Sequence, residues 1–329
     1  MKKQTPFGEL EIFDSHTHFF SHNFFSMLAK QSPVLEVEAN PVEKIGEITG
    51  MQMPYENPRD LARVWVEELD RNRIARALLM ASLPNDENSI AEAVSGFPDR
   101  ITGGFFFDPV EENAIERARH AFDDLRLKMI CLFPAMHGFS VADNENVKAI
   151  AELISQRKGT AIFVHCGALS VGIRGKIGLK SPFDLRLSNP LEVHKLASEF
   201  PDVNFIIPHF GAGFWRETLM AAELCPNIYI DTSSSNRWTK YEAADLDIRK
   251  VFGKTLAVVG AERLLFGTDS SFFPRGWIAE VFDAQVAALA ELGVGRADAE
   301  LIFGGNMRRL LDADDTMSDQ QFHTDRSAL

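Results

Sequence analysis

The sequence is poor in cysteine. Cys131, Cys166 and Cys225 are the only three in 329 residues. Their number is odd, their spacing is wide and no CxxC pair occurs, which speaks against a disulfide framework and against a cysteine-based zinc site. Reduced thiols fit a cytoplasmic protein. Long hydrophobic runs are also missing. No stretch of about eighteen apolar residues is there to span a bilayer, and the N-terminal lysines Lys2 and Lys3 are followed by no apolar signal segment. Excess positive charge is absent: 34 Lys and Arg stand against 47 Asp and Glu, a net charge of −13. That balance argues against nucleic acid or a membrane surface as partner, while a locally basic site can still take a small anionic substrate. No GxGxxG follows the first strand-like run, which removes the usual dinucleotide-binding form of an α/β fold.

What is present is a rhythm. With 45% hydrophobic residues, a chain of this length can bury a core without covalent staples. Short runs rich in β-branched and aromatic residues alternate with amphipathic segments. The strand-like runs are Leu10–Phe13, Ala75–Met80, Ile101–Phe107, Leu127–Phe133, Thr160–Val164, Val203–Ile207, Asn227–Ile230 and Arg263–Phe266. Several are apolar almost throughout, as expected of parallel strands buried on both faces. Helical periodicity is read at Arg59–Asn72, Asn144–Lys158, Pro190–Phe200, Gly276–Leu292 and Ala297–Leu311. Eight such units predict an α/β chain forming a parallel eight-stranded (β/α)8 barrel, with an open doubly wound sheet as the alternative. A proline-bearing stretch at about 32–58 reads as an insertion in the first βα-loop, suited to a lid or a subunit contact. Residues 1–312 are expected to form one domain, and 313–329 a mobile acidic tail.

Chemistry-bearing residues fall at the strand ends. Asp14-Ser15-His16-Thr17-His18 adjoins the first run, and residues i and i+2 on a strand share a face. His165 ends the fifth run, His209 the sixth, and Asp269 the eighth. In a parallel barrel these ends meet at one mouth. Imidazoles with a carboxylate suit a zinc-type ion with an open position. Arg174, Arg237 and Arg275 lie in loops after the fifth, seventh and eighth runs, where an arginine can pair with a substrate carboxylate. Trp238 and Trp277 beside them either wall an apolar substrate or pack the helix layer.

The motifs Asp14-Ser-His16-Thr-His18, His165-Cys-Gly167, Pro208-His209-Phe-Gly211 and Gly267-Thr-Asp269 resemble the signature of the amidohydrolase superfamily, in particular its amidohydrolase-related branch. Asn189-Pro-Leu191, Phe200-Pro-Asp202, Asn227-Ile-Tyr-Ile-Asp231 and Gly305-Asn306 are spaced as in that branch. The resemblance implies a metal-dependent enzyme in which His16, His18, His165 and Asp269 hold one divalent ion, zinc, and His209 and Asp269 are catalytic. Where binuclear relatives carry a bridging lysine, this chain has Cys131, so one metal is expected. Lys128, three residues earlier, has the wrong strand parity to replace it. The implied reaction is hydrolysis, a metal-activated water attacking a C–O or C–N bond of a small carboxylated molecule. The alternative is non-oxidative decarboxylation of a small aromatic or unsaturated acid by the same residues. A barrel that keeps its metal only as a binding protein is a third reading, weakened by the complete ligand set. The resemblance and the long first loop also imply a homodimer.

Overall fold

A computed structural model describes residues 1–233, 237–242 and 245–312, with Arg237 described by its backbone alone. The predicted acidic tail, 313–329, therefore lies outside the described residues. Eight parallel strands form the central sheet: β1 (Phe13–Phe19), β2 (Arg76–Ala81), β3 (Ile101–Phe107), β4 (Met129–Leu132), β5 (Ala161–Val164), β6 (Asn204–Ile207), β7 (Ile228–Asp231) and β8 (Leu264–Leu265). Each pairs with the next in chain order, so β1 and β8 are the two ends of the row. Backbone hydrogen bonds bring those ends together: Ser15 donates to the Phe266 carbonyl at 2.8 Å, Asp269 to His16 at 2.9 Å and His18 to Ser270 at 2.7 Å. The fold is the expected barrel, and its seam is made by the segments that carry His16, His18 and Asp269.

Both faces of the strands are buried, which explains their unbroken apolar runs. Phe13, Leu78, Met80, Phe106, Met129, Cys131, Phe163, Ile206 and Leu265 pack together inside the barrel. Their strand neighbours, among them Leu79, Phe105, Phe107, Ile130, Ile162, Phe205 and Ile230, pack outward against the helices. Met307, Leu310 and Leu311 of the final helix join the inner set. Asn306 anchors that helix by donating to the carbonyls of Ala261 and Leu264 at 2.7 and 2.8 Å.

Strand β1 departs from expectation in a way that matters. The run read as Leu10–Phe13 begins at Phe13 and continues through the histidines to Phe19, while Gly8–Leu10 pairs with Lys3–Thr5 in a separate hairpin. Phe13 and His16 are an odd number apart, yet Phe13 belongs to the inner set and the His16 ring lies 5.2 Å from that of Phe163, also inside. A register shift against β2 between Asp14 and Thr17 supplies the extra residue. Such a bulge re-aims side chains beside a site.

The first βα-loop is structured. Helices His22–Gln31 and Pro41–Thr49 lie within it. Phe24, Phe25, Leu28, Leu35 and Ile45 build a small core with Ile173 and Ile177 from the loop after β5. Ser32 Oγ fastens the two loops by donating to the Ile177 carbonyl at 2.6 Å. The predicted helix at Ala297–Leu311 is interrupted: Arg296–Glu300 and Asn306–Leu311 flank a wider turn at Leu301–Gly305. Among the described residues no helix is long and apolar enough to cross a membrane.

Candidate metal centre

Donor atoms of His16, His18 and Asp269 lie within 4.8 Å of one another at the C-terminal mouth of the barrel. Proton placement shows what this group can hold. His16 Nδ1 is 2.6 Å from Asp231 Oδ2. A carboxylate accepts, so this nitrogen carries the proton and Nε2 is left with its lone pair. Ser82 Oγ donates to the Met80 carbonyl at 3.0 Å and therefore accepts from His18 Nδ1 at 2.8 Å. His18 Nε2 is then the bare nitrogen as well. Both face Asp269 Oδ1, at 3.6 Å from His16 and 3.1 Å from His18. His16 Nε2 is buried with no hydrogen-bond partner. Three electron pairs aimed at one small region need a cation among them, and two imidazoles with a carboxylate are a donor set suited to a divalent ion. The partners on Nδ1 are those that orient metal-binding histidines.

Charge reinforces this order. Burial pushes the His16 pKa down, but the Asp231 carboxylate and its hydrogen bond outweigh it and raise the pKa above the usual value. Burial lowers the pKa of His18, opposed by Asp269. Burial alone would raise the Asp269 carboxyl; the imidazoles of His18, His209 and His16 around it hold it well below the ordinary range. Asp269 is thus ionised in neutral solution. Its φ of 61° is left-handed, a strained backbone for a non-glycine residue of the kind concentrated at functional sites.

His165 stands beside this trio. Its ring stacks on Phe133 at 5.2 Å between centroids and meets that of His209 at 5.3 Å. Its Nδ1 is buried without a partner, and burial, followed by the imidazoles beside it, takes its pKa well below the usual value. Its donor atoms stay outside the 4.8 Å group, so three of the four implied ligands are gathered and the fourth is adjacent.

His209 sits 4.8 Å from His16, ring to ring. It opens a run of left-handed residues: His209 (φ 57°), Phe210 (52°), Gly211 (86°), Ala212 (44°) and Gly213 (102°). The run brings the backbone against the loop after β5, where a Cβ at Gly167 would lie 2.2 Å from the Gly211 carbonyl oxygen. The His165-Cys-Gly167 and His209-Phe-Gly211 motifs therefore interlock, glycine being the residue that permits the approach.

Cys131 lies fully buried in the inner set, and burial raises its thiol pKa above the ordinary range. No lysine occupies that place. Of the candidate arginines, Arg275 is at the mouth: it donates to Ser271 Oγ at 2.6 Å and lies over the Phe272 ring at 4.4 Å. Among the described residues it has no carboxylate ion-pair partner. Burial lowers its pKa, with Asp269 opposing. Arg174 turns back to donate to the Lys180 carbonyl at 2.8 Å, and the Arg237 side chain lies outside the described residues.

Sequence reading missed Asp231 and Ser82 as partners of the histidines. Asp231 ends β7 as Asp269 follows β8, so its position was a usable signal; nothing local marks Ser82. It also missed the work of Asp14, which is fully buried and accepts from Thr268 Oγ1 at 2.5 Å, Trp277 Nε1 at 2.8 Å and the His16 and Thr268 amides at 3.0 and 3.1 Å. Burial pushes its pKa up to about 6, against the pull of these bonds. Asp14 thereby ties the first histidine segment to the residue before Asp269. Trp277 is spent on this tie rather than on walling a substrate.

Comparison with known proteins bears on the fold and the family. Protein fluG of Emericella nidulans is 31% identical over 97 residues, 29% of this chain. The match spans 11% of that much longer protein. Among solved structures, an uncharacterised TIM-barrel protein of Bordetella bronchiseptica has a TM-score of 0.63 at 16% identity, covering 92% of this chain and 99% of its own. A probable 2-pyrone-4,6-dicarboxylic acid hydrolase of Acinetobacter baumannii, with citric acid bound, has a TM-score of 0.57 at 12% identity, with 92% and 100% covered. A 5-carboxyvanillate decarboxylase of Novosphingobium aromaticivorans, with bound manganese, has a TM-score of 0.61 at 12% identity, with 92% and 97% covered. These likenesses show the shared barrel. A family model described as amidohydrolase matches residues 13–313, and with that match across nearly the whole barrel, the chain belongs to the amidohydrolase family.

Proposed function

We propose that this protein is a metal-dependent hydrolase of a small carboxylated molecule, cleaving a C–O or C–N bond of a lactone or amide. The observation that carries this reading is the pair of bare Nε2 atoms on His16 and His18 facing the ionised Asp269 carboxylate. These three residues, with His165 alongside, would hold one divalent ion, zinc by the chemistry of the donor set. When bound, such an ion supplies an activated water and polarises a substrate oxygen. Asp269, kept ionised, is suited to bind the ion. His209, close by and neutral, is suited to support negative charge developing on the substrate. Arg275, beside Asp269 and without a carboxylate partner among the described residues, is suited to a substrate carboxylate.

Decarboxylation is the competing reading, and one structural neighbour carries that name. It asks for a group that delivers a proton to carbon. In that reading Asp269 or His209 would deliver it, so the same residues serve both reactions. The test offers the zinc-loaded protein two panels, lactones and amides of small carboxylic acids, and aromatic carboxylic acids. Alkali uptake with the first panel is expected. Carbon dioxide release from the second, without turnover of the first, would reverse the assignment, and failure to bind zinc would remove both readings.

A further inference from the structure

Strand β7 ends at Asp231, and the next two residues, Thr232 and Ser233, are sealed from solvent. Thr232 is engaged outward, its hydroxyl 2.7 Å from Gln285 Oε1. Ser233 faces the site. Its Oγ lies 2.9 Å from His16 Nδ1 and 2.9 Å from His209 Nδ1. One hydroxyl with one proton therefore meets the same nitrogen of two imidazoles.

The arrangement can be solved for its protons. His16 Nδ1 also faces Asp231 Oδ2 at 2.6 Å, and a carboxylate obliges that nitrogen to carry hydrogen. A protonated nitrogen cannot accept, so the Ser233 hydroxyl has no acceptor on His16. Among the described residues its remaining acceptor is His209 Nδ1. A neutral imidazole that accepts at Nδ1 carries its proton at Nε2. An Nδ1 that accepts from the Ser233 hydroxyl at 2.9 Å is itself unprotonated, so this ring is the neutral form.

We propose that Ser233 is a positioning residue: it carries the proton order set by Asp231 from His16 to His209, and holds His209 in the Nε2-protonated form. One carboxylate thus orders two rings. His16 is left with a bare Nε2, as a metal ligand needs, and His209 with a donor, as a residue that meets a substrate oxygen needs. The catalytic consequence rests on the hydrolase reading above; the proton order itself does not. It also separates two roles for His209. A ring fixed as Nε2–H enters the reaction as a hydrogen-bond donor rather than as a base. The rival arrangement has His209 Nδ1 protonated and donating to Ser233 Oγ, 2.9 Å away. That arrangement would leave Nε2 bare.

The test uses the full chain with nitrogen-labelled histidine, recorded metal-free and zinc-loaded. Long-range nitrogen–proton correlation distinguishes protonated from bare ring nitrogens, and the His209 signals are assigned by their loss in His209→Asn. The expected pattern for His209 is a protonated Nε2 and a bare Nδ1 in both states. In Ser233→Ala that pattern should give way to a mixture of tautomers. Zinc stoichiometry should stay at that of the parent protein, and kcat should fall roughly 10–100-fold with little change in KM, the size typical of residues behind a metal site. A protonated Nδ1 in the parent protein would overturn the inference, as would a His209 tautomer untouched by Ser233→Ala. Absence of zinc binding in the parent protein would instead refute the metal reading, leaving the tautomer pattern to be judged separately.

Discussion

His16 Nδ1 lies 2.6 Å from Asp231 Oδ2, and both side chains are 1% exposed. The pair fixes which nitrogen of His16 is bare. Without the carboxylate nothing obliges the proton to stay on Nδ1, and the ring can turn its protonated edge to the metal position. Asp231→Asn is therefore expected to weaken zinc binding by roughly 10–100-fold. Competition with a chelating dye measures this. Unchanged affinity would show that His16 is oriented by something else.

In the proposed mechanism His209 serves the chemistry, and it lies outside the gathered donors. His209→Asn should leave zinc content nearly intact while turnover falls, by about 10²–10⁴-fold for a residue handling charge or protons in the transition state. Metal analysis beside steady-state kinetics separates the outcomes. Loss of the metal would make His209 a ligand.

Zinc must displace protons from the rings it binds. The pKa of His16 is raised above its ordinary 6.5 by Asp231, whereas those of His18 and His165 are lowered by burial. As pH falls, His16 is thus the first of the three to take up a proton, and it does so above 6.5. Zinc affinity is expected to begin falling above pH 6.5 and to keep falling at lower pH. Isothermal titration across that range checks the sign, and affinity flat down to pH 5.5 would contradict it.

Gly167 permits a backbone approach no side chain can share. Its φ is 81°, and a Cβ there would lie 2.2 Å from the Gly211 carbonyl oxygen and 2.4 Å from that of Ala212. Because both are main-chain atoms, no rotamer relieves the clash. Gly167→Ala should destabilise the protein by more than about 1 kcal/mol and disturb His209, whose loop the contact supports. Thermal unfolding and zinc-loaded activity should both drop; a variant as stable as the parent would show the loops to be more yielding.

Much of the site was readable along the chain. His16, His18, His165, His209 and Asp269 could be placed at one mouth because parallel strands that alternate with helices all end on the same side. The apolar runs were readable because both strand faces are buried. The starting point of β1 was misread, since Gly8-Glu9-Leu10 pairs into a hairpin and the strand itself carries polar residues. The helices inside the first loop were missed because proline suggested irregular chain, whereas Pro41 occupies a first helical turn, where its missing N–H costs nothing.

The linear sequence by itself determined the barrel, the family and the strand ends from which the chemistry must come, because these follow from periodicity and from residue types at fixed spacing. Only the tertiary structure decided the proton order. His16 meets Asp231 across 215 positions, His18 meets Ser82 across 64 and Ser233 meets His209 across 24. Those meetings depend on a one-residue bulge in β1, on left-handed backbone at His209 and Asp269, and on how the barrel closes. None of these has a local signature, since each is set by packing between segments that the chain itself keeps far apart.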